Sequence, residues 1–511
     1  MRKLPIGIQS FVEIRTENYY YVDKTPFVKK LVDEGKYYFL SRPRRFGKSL
    51  FLDTLRQAFL GRKELFKGLY LENNWNWSVK YPVIYISFGA GVHRKPEELI
   101  QTQEAILQRH KEKYQIELKY PGIKEKFFEL IQRLREKFNQ KVVVLIDEYD
   151  KPILDNITKP EVATEMREIL KNFYSVLKDA DEFLKFVFIT GVSKFSKVSI
   201  FSGLNNLEDI TLNPSYGTIC GYTQKELEVV FEDLLKGLDL EEVKRWYNGY
   251  NFLSEPVYNP FDILLLLKNR RFRSYWFETG TPTFLIKLLL EKKIAFPSLE
   301  RLVTGEEILE SFDVDRIYPE TILFQTGYLT IKDVYQTGPM ETFELSYPNL
   351  EVKMSFNNFL LTTFIDLSVK QKGLRDIYLA LSEGEVEKLK EVFRGLFASI
   401  PYNWFQKNNL EEYEGFYGSV FYAYFSALGL DLKVEEMTNQ GRLDMAVIFG
   451  ERAYIFEFKV VDSGATHQAI KQLKEKKYWE KYSKKYKEVY LIRIEFSKQE
   501  RNIVSFEVER L

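Results

Sequence analysis

Gly47-Lys48-Ser49 follows an apolar run, Tyr37-Tyr38-Phe39-Leu40, and leads into a helix-like stretch with Leu50, Leu52 and Leu55. A strand-to-helix turn ending in Gly-Lys-Ser surrounds a phosphate with backbone N–H groups. Its lysine reaches the β- and γ-phosphates and its serine hydroxyl ligates magnesium. On this reading Gly47, Lys48 and Ser49 bind ATP with Mg2+. The complete pattern, G-x-x-x-x-G-K-[ST], asks for a glycine at position 42, where the chain has Arg42. Pro43 supplies part of what that glycine does, because its fixed φ biases Arg42 toward an extended conformation. Arg44 and Arg45 are candidates for contacts to phosphate or to a neighbouring subunit, although exposed arginines commonly serve neither.

About a hundred residues on, Val142-Val143-Val144-Leu145-Ile146 runs into Asp147-Glu148. A buried strand ending in adjacent carboxylates suits phosphoryl transfer, which needs chiefly positioning and charge neutralisation. Asp147 would hold magnesium, directly or through water, and Glu148 would orient or deprotonate the attacking water. A further strand, Lys185–Ile189, ends in Thr190, placed to sense the γ-phosphate, with Ser193 just beyond. Taken singly, these residues also read as a helix start and a solvated strand end. Their order, each behind a strand, favours the nucleotide site.

The second constellation is a hairpin. Leu443-Asp444-Met445-Ala446-Val447-Ile448-Phe449 and Arg452-Ala453-Tyr454-Ile455-Phe456-Glu457-Phe458-Lys459 flank Gly450-Glu451, a pair suited to a two-residue type II′ turn. If Phe449 faces Arg452, Asp444 lies opposite Glu457 with Cβ atoms about 4.5–5.5 Å apart. Lys459 shares that face by strand alternation. Opposed like charges need a proton, a basic neighbour or a cation. Magnesium or manganese held by Asp444 and Glu457, with Lys459 near the nucleophile, would serve phosphodiester hydrolysis. A plain hairpin in which Lys459 or Arg442 neutralises the acids is the alternative. Downstream, the stretch Lys471–Lys487 carries eight lysines against two glutamates, with Tyr478, Tyr482 and Tyr486 evenly spaced. Such a helix can track a phosphate backbone, or present a tyrosine core face and a solvated lysine face.

These groups need rigid elements to hold them. Up to about Ile219, β-rich runs (Tyr37–Leu40, Val83–Phe88, Val142–Ile146, Lys185–Ile189) alternate with longer helical stretches, the pattern of a parallel sheet with helices on both faces. From Thr223 to about Leu290 the apolar spacing is mainly helical, and strand-like stretches return from Tyr318 to Phe356. The last part reads as a helix around Gly418–Leu428, the hairpin, a lysine-rich helix and a strand at Val489–Ile494. The expectation is an α/β multidomain chain divided at 1–222, 223–375 and 376–511.

Composition narrows the classes further. With 511 residues, 45% apolar and 16% aromatic, the chain has material for several cores. Lys plus Arg total 74 against 73 Asp plus Glu, so any polyanion site is local. The single Cys220 excludes an intramolecular disulfide, and His93, His110 and His467 show no metal-binding spacing. Pure apolar runs such as Ile263–Leu267 are far below the roughly 18 residues of a membrane span, and a cytoplasmic setting is expected.

With both sites in view, the chain resembles bacterial and archaeal proteins that join an AAA-ATPase-like P-loop domain to a C-terminal PD-(D/E)XK nuclease-superfamily domain. The resemblance is carried by Tyr21-Val22-Asp23-Lys24-Thr25, the Arg42–Ser49 loop, Leu145-Ile146-Asp147-Glu148-Tyr149-Asp150 and Ile189-Thr190-Gly191-Val192-Ser193. Further along it runs through Trp246-Tyr247-Asn248-Gly249-Tyr250, Val257-Tyr258-Asn259-Pro260, Gln325-Thr326-Gly327-Tyr328-Leu329, Gly441-Arg442-Leu443-Asp444 and Glu457-Phe458-Lys459. In that family the Arg-Pro-Arg-Arg-Phe-Gly-Lys-Ser loop is usual, so Arg42 no longer argues against ATP. The resemblance also implies an acidic residue on the helix before the hairpin, matched by Glu414, and a glutamine on the helix after it, matched by Gln472. It implies a restriction-endonuclease-like fold and an ATPase coupled to a metal-dependent nuclease acting on DNA or RNA, in defence or mobile-element biology. A signalling NTPase switch whose last domain binds nucleic acid or a protein without cutting is the other reading, and homo-oligomerisation stays open.

Overall fold

The structure, a computed structural model, describes residues 2–194, 200–201, 204, 206–276, 285–286, 288–289, 292, 294–305, 318–400, 414–438, 441–462 and 479–511, without the side chains of 337, 364, 414–415, 435–438 and 441–444. It forms two compact units, Met1–Trp276 with Val303–Glu344, and Phe277–Leu302 with Leu345–Leu511. The stretch 223–375 is therefore shared between the two.

In the first unit, β1 (Tyr37–Ser41), β2 (Val83–Ser87), β3 (Val142–Asp147), β4 (Leu184–Gly191) and the short β5 (Glu208–Asp209) form one sheet in the order β2-β3-β4-β1-β5. Every seam is parallel. β1 and β3 are buried along their whole length, as strands covered on both faces must be. Helices Lys48–Phe59, Pro96–Tyr114, Ile123–Phe138 and Pro160–Tyr174 alternate with the strands. The last two pack through Phe127 and Phe173, whose rings stack 4.6 Å apart. Register places Leu40 beside Thr190, and Ile146 beside Ile189, so the ends of β1, β3 and β4 lie at one level. Ligands of open α/β sheets bind at such carboxyl ends.

Helices Gln224–Val230, Leu240–Tyr247 and Pro260–Asn269 follow as expected. The first opens on a capping box of Thr223 and Glu226. Leu227, Phe231, Val243, Tyr247 and Ile263 close a core with Tyr20 and Val22 from the start of the chain. The strand-like reading of Tyr318–Phe356 holds only for its middle. Residues Pro319–Gln325 are helical, with Pro319 at the first position, and a second helix begins at Leu350, where the Asn349 side chain accepts from Val352 N–H. Between them β7 (Thr330–Thr337) and β8 (Met340–Ser346) join β6 (Leu302–Gly305) in a small sheet ordered β6-β8-β7.

The second unit carries a five-stranded mixed sheet, β13-β12-β11-β10-β9. Its strands are β9 (Asp431–Thr438), β10 (Gly441–Phe449), β11 (Arg452–Val461), β12 (Glu488–Ser497) and β13 (Asn502–Arg510). Only β11 and β12 run parallel. On one face, Phe456, Phe458 and Phe496 pack with Phe421, Phe425 and Tyr417 of the helix Glu414–Ala427. On the other, Ala446, Ala453, Ile455 and Leu491 pack with Tyr482, Trp479 and Tyr486. Tyr482 and Tyr486 thus face the core, while Lys481, Lys484, Lys485 and Lys487 are exposed. Residues 463–478, which include Gln472 and the first part of the lysine-rich stretch, lie outside the described residues.

Candidate functional site

β1 ends at Ser41, the chain turns through Arg42–Phe46, and Gly47 caps the helix Lys48–Phe59 with φ +91°, a conformation that favours glycine. Lys48 is buried, and its Nζ donates to the carbonyls of Arg42 and Pro43, each at 2.8 Å. Burial pushes its ammonium below the ordinary lysine range, and the charge of Asp147 opposes that shift. Ser49, next on the helix, is half-buried.

Asp147, at the end of β3, is 3% exposed. Tyr85 donates its hydroxyl to Asp147 Oδ2 at 3.3 Å, while Oδ1 is buried with no hydrogen-bond partner among the described residues. A buried anionic oxygen left this way suits a hard cation, so the site fits magnesium. Glu148 follows with φ +51°, a left-handed conformation uncommon outside glycine and a frequent mark of functional sites. Burial, then the charge of Asp147, pushes its carboxyl above the usual range. Gly89 makes room for it: a Cβ there would meet Glu148 Oε2 at 2.9 Å.

Thr190 is buried and donates its hydroxyl to Leu40 O at 2.8 Å, so its proton serves the β1–β4 seam. Asp150, quoted above only within a motif, is fully buried and accepts from Val192 N, Ser193 N and Ser193 Oγ at 3.1, 2.6 and 2.5 Å. It ties the turn after β3 to the chain leaving β4.

In the second unit Phe449 does face Arg452, and Met445 faces Phe456. Gly450 takes φ +60° and Glu451 stays out of the left-handed region, in keeping with the type II′ turn. The described pairing of these strands ends at Met445 and Phe456, one step short of Asp444 and Glu457. The side chain of Asp444 is outside the described residues, as is that of Glu414, the first residue of its helix. Among the described residues no group of three or more His, Cys, Asp or Glu could hold a metal ion. Glu457 is half-buried and Lys459 exposed. The side chain of Arg442 lies outside the described residues, and a basic neighbour of Glu457 is Arg493 of β12, with Nη1 3.1 Å from Oε2. Sequence reasoning missed this residue. Its signal was two charges, Arg493 and Glu495, inside the otherwise apolar run Val489–Phe496.

Two family models match the chain. Residues 5–201 match one described as a predicted AAA-ATPase, and residues 412–506 match the PD-(D/E)XK nuclease superfamily. The protein is also 48% identical over 514 residues to "Uncharacterized protein in vnfD 5'region" of Azotobacter chroococcum mcd 1, covering 100% of this chain and 99% of that one. It belongs to the AAA-ATPase-like proteins with a C-terminal PD-(D/E)XK nuclease-superfamily domain.

In this AAA-ATPase-like chain several of the motifs that lie in the first unit pack around the loop. Arg42, where a glycine was expected, turns inward and is 1% exposed. Its guanidinium donates to Ser41 O and Thr211 O at 2.8 Å and to Tyr216 O at 3.2 Å, and lies 3.8 Å from the centre of the Phe252 ring. Burial lowers its pKa to about 10. Phe46 packs edge-on against Tyr250 at 4.8 Å. Asn259 Nδ2 and Trp276 Nε1 donate to Arg44 O at 3.4 and 3.3 Å. Gly327, at φ +89°, leaves space for Pro43, to which a Cβ would come within 2.8 Å. Of the two arginines expected near phosphate, Arg45 lies over the Phe261 ring at 3.7 Å and Arg44 is exposed. Lys24 is buried in an ion pair with Glu226 at 2.7 Å, and Asp23 accepts from Thr25 N and Tyr70 N. No helix among the described residues is long and apolar enough to cross a membrane.

Proposed function

We propose that the protein is a cytoplasmic ATPase whose nucleotide state governs a metal-dependent nuclease in the same chain, hydrolysing phosphodiester bonds of DNA or RNA. The observation that carries it is the unpartnered Asp147 Oδ1, on a carboxylate whose charge acts on Lys48 at the carboxyl edge of a parallel sheet. Gly47 and Lys48 cradle the phosphates, and Ser49 and Asp147 hold Mg2+. Glu148 takes the proton of the attacking water, a role favoured by a carboxyl whose pKa is already raised. Thr190, with its proton committed to Leu40, turns oxygen lone pairs rather than a donor toward any ligand. A recess lined by Tyr20, Val22, Phe46, Gly47, Cys220 and Gly221 adjoins the loop and suits the flat, apolar base.

In the nuclease-superfamily domain, Asp444 and Glu457 hold Mg2+ or Mn2+, which when bound activates water and neutralises charge. Lys459, on the same strand face as Glu457, offers its ammonium to the phosphate. Glu414 and Gln472 take supporting places by family position. The exposed lysines 481, 484, 485 and 487 offer a surface for the nucleic-acid backbone. One observation favours the reading in which this domain binds without cutting: Arg493 already pairs with Glu457 Oε2 at 3.1 Å. The test incubates wild type with single- and double-stranded DNA and RNA, with Mg2+ or Mn2+, with and without ATP, beside Asp444→Ala and Lys459→Ala. Cleavage lost in both variants supports the nuclease. Salt-dependent binding with no cleavage under either metal supports the binding module.

A further inference from the structure

Glu148 stands at φ +51°, and a residue other than glycine persists there only where its surroundings over-determine it. The backbone supplies part of that hold. Lys151 N donates to Glu148 O and Tyr149 N to Thr190 O, each at 3.2 Å. The rest comes from the chain leaving β4. Asp150, 1% exposed, takes Ser193 N at 2.6 Å and Ser193 Oγ at 2.5 Å on the same oxygen that takes Val192 N at 3.1 Å. Tyr149 donates its hydroxyl the other way, to Ser193 O at 3.1 Å. Gly191 is required for so close a fit, since a Cβ there would collide with Asp150 Oδ1 and the Tyr149 ring. The start of the phosphate loop pins the same segment: Arg42 N donates to Gly191 O at 3.2 Å and Ser41 Oγ to Val192 O at 2.5 Å. Ser193, the polar group just beyond the expected γ-phosphate sensor, therefore spends its hydroxyl proton on Asp150.

We propose that Asp150 and Ser193 are positioning residues that aim the Glu148 carboxylate, acting through the turn they lock and not by touching nucleotide. This rests on the reading of Glu148 as the base for ATP hydrolysis given above. A carboxylate aimed by a left-handed φ points elsewhere once its residue relaxes to the right-handed region, so an unlocked turn carries the base away from the water. Gly47, Lys48 and Asp147 lie on the loop, its helix and β3, and keep their places. Loss of the lock therefore lowers kcat and spares ATP affinity, as expected of an interaction made only in the transition state.

Turnover, ATP affinity by calorimetry and amide exchange of the nucleotide-free full chain test this in Asp150→Ala and Ser193→Ala. A base displaced by about 1 Å costs roughly a hundredfold in rate, the fall in kcat expected of Asp150→Ala. One lost hydrogen bond to a charged group costs about tenfold, the fall expected of Ser193→Ala. ATP affinity is expected to stay within about threefold of wild type in both. In a Glu148→Gln background neither change should slow turnover further, because all three residues act as one unit. In the nucleotide-free protein the amides of Tyr149 and Lys151 are expected to exchange about tenfold faster than in wild type. A purely structural role predicts ATP affinity falling in step with kcat, or an equal further loss in the Glu148→Gln background, and either result overturns the inference. Wild-type exchange at Tyr149 and Lys151 in both variants overturns it as well. Should Asp150→Ala not fold, Ser193→Ala decides by the same readings. Glu148→Gln that keeps the wild-type rate, or wild type that turns over no ATP, removes the reading of Glu148 itself. That failure is distinct, because the exchange measurement needs no nucleotide and still decides whether Asp150 and Ser193 lock the turn.

Discussion

Gly327→Ala tests whether the phosphate loop is held by the chain that packs on it. Two costs are separable. At φ +89° an alanine is strained by about 1–2 kcal/mol, the ordinary penalty of the left-handed region for an L residue. The new Cβ would also stand 2.8 Å from Pro43 Cβ and 2.9 Å from Cγ. A proline ring yields little, so the loop must move, and overpacking of this kind costs about 1–3 kcal/mol. Gly338→Ala supplies the control, since Gly338 has φ +64° but nothing within 4 Å of its Cβ position. The two variants share the strain and differ in the clash. Denaturant melts are expected to place Gly327→Ala about 1–3 kcal/mol below Gly338→Ala. Calorimetric titration with ATP is expected to show roughly 5- to 150-fold weaker binding in Gly327→Ala alone, if the loop must be forced back against the clash. Equal stability and equal ATP affinity in the two would refute the claim that Gly327 positions Pro43 and the loop.

Arg42→Gly restores the complete phosphate-loop pattern, yet it is expected to lower stability by about 3 kcal/mol and weaken ATP binding, because the carbonyls of Ser41, Thr211 and Tyr216 lose their donor. Tighter ATP binding in that variant, at unchanged stability, would show Arg42 to be a defect rather than an anchor. Glu148→Gln should slow ATP hydrolysis by about 10²–10⁴-fold while leaving ATP binding intact. The base works ionised and burial raises its pKa, so the wild-type rate should fall as pH drops through a value above the usual carboxylate range. A pH–rate profile of Glu148→Gln that kept this acid limb would assign it to another group. Lys48→Met should abolish ATP turnover, checked by phosphate release, and loss of the protein's fold instead would mark Lys48 as a structural cation.

What was legible in the sequence was local. β1 to β4 announced themselves because strands buried on both faces need unbroken apolar runs, as Val142–Ile146 shows. The hairpin register could be derived from Phe449 and Arg452 as far as Met445 and Phe456, because a two-residue turn at Gly450-Glu451 sets the pairs behind it. Arg42 could not be read this way. Its partners at Thr211 and Tyr216 lie about 170 residues away, so locally it is only a missing glycine. Gly327 and Tyr250 look like loop residues until the fold brings them against Pro43 and Phe46. Arg493 was hidden likewise: β11 and β12 are parallel, hence joined by a long crossover, and no turn announces which residue will face Glu457. The helix Pro319–Gln325 was missed because its apolar residues, Ile322-Leu323-Phe324, form a short run that strand and helix share.

The central claim is that one chain couples the Lys48–Asp147 site to phosphodiester cleavage at Asp444 and Glu457. Nucleic-acid cleavage by wild type, Lys48→Met and Asp444→Ala, followed with Mg2+ or Mn2+ and with and without ATP, tests it most directly. The account predicts cleavage by wild type that changes with ATP, cleavage by Lys48→Met that no longer responds to ATP, and none by Asp444→Ala. Undiminished cleavage by Asp444→Ala, or an ATP response that persists in Lys48→Met, would contradict it.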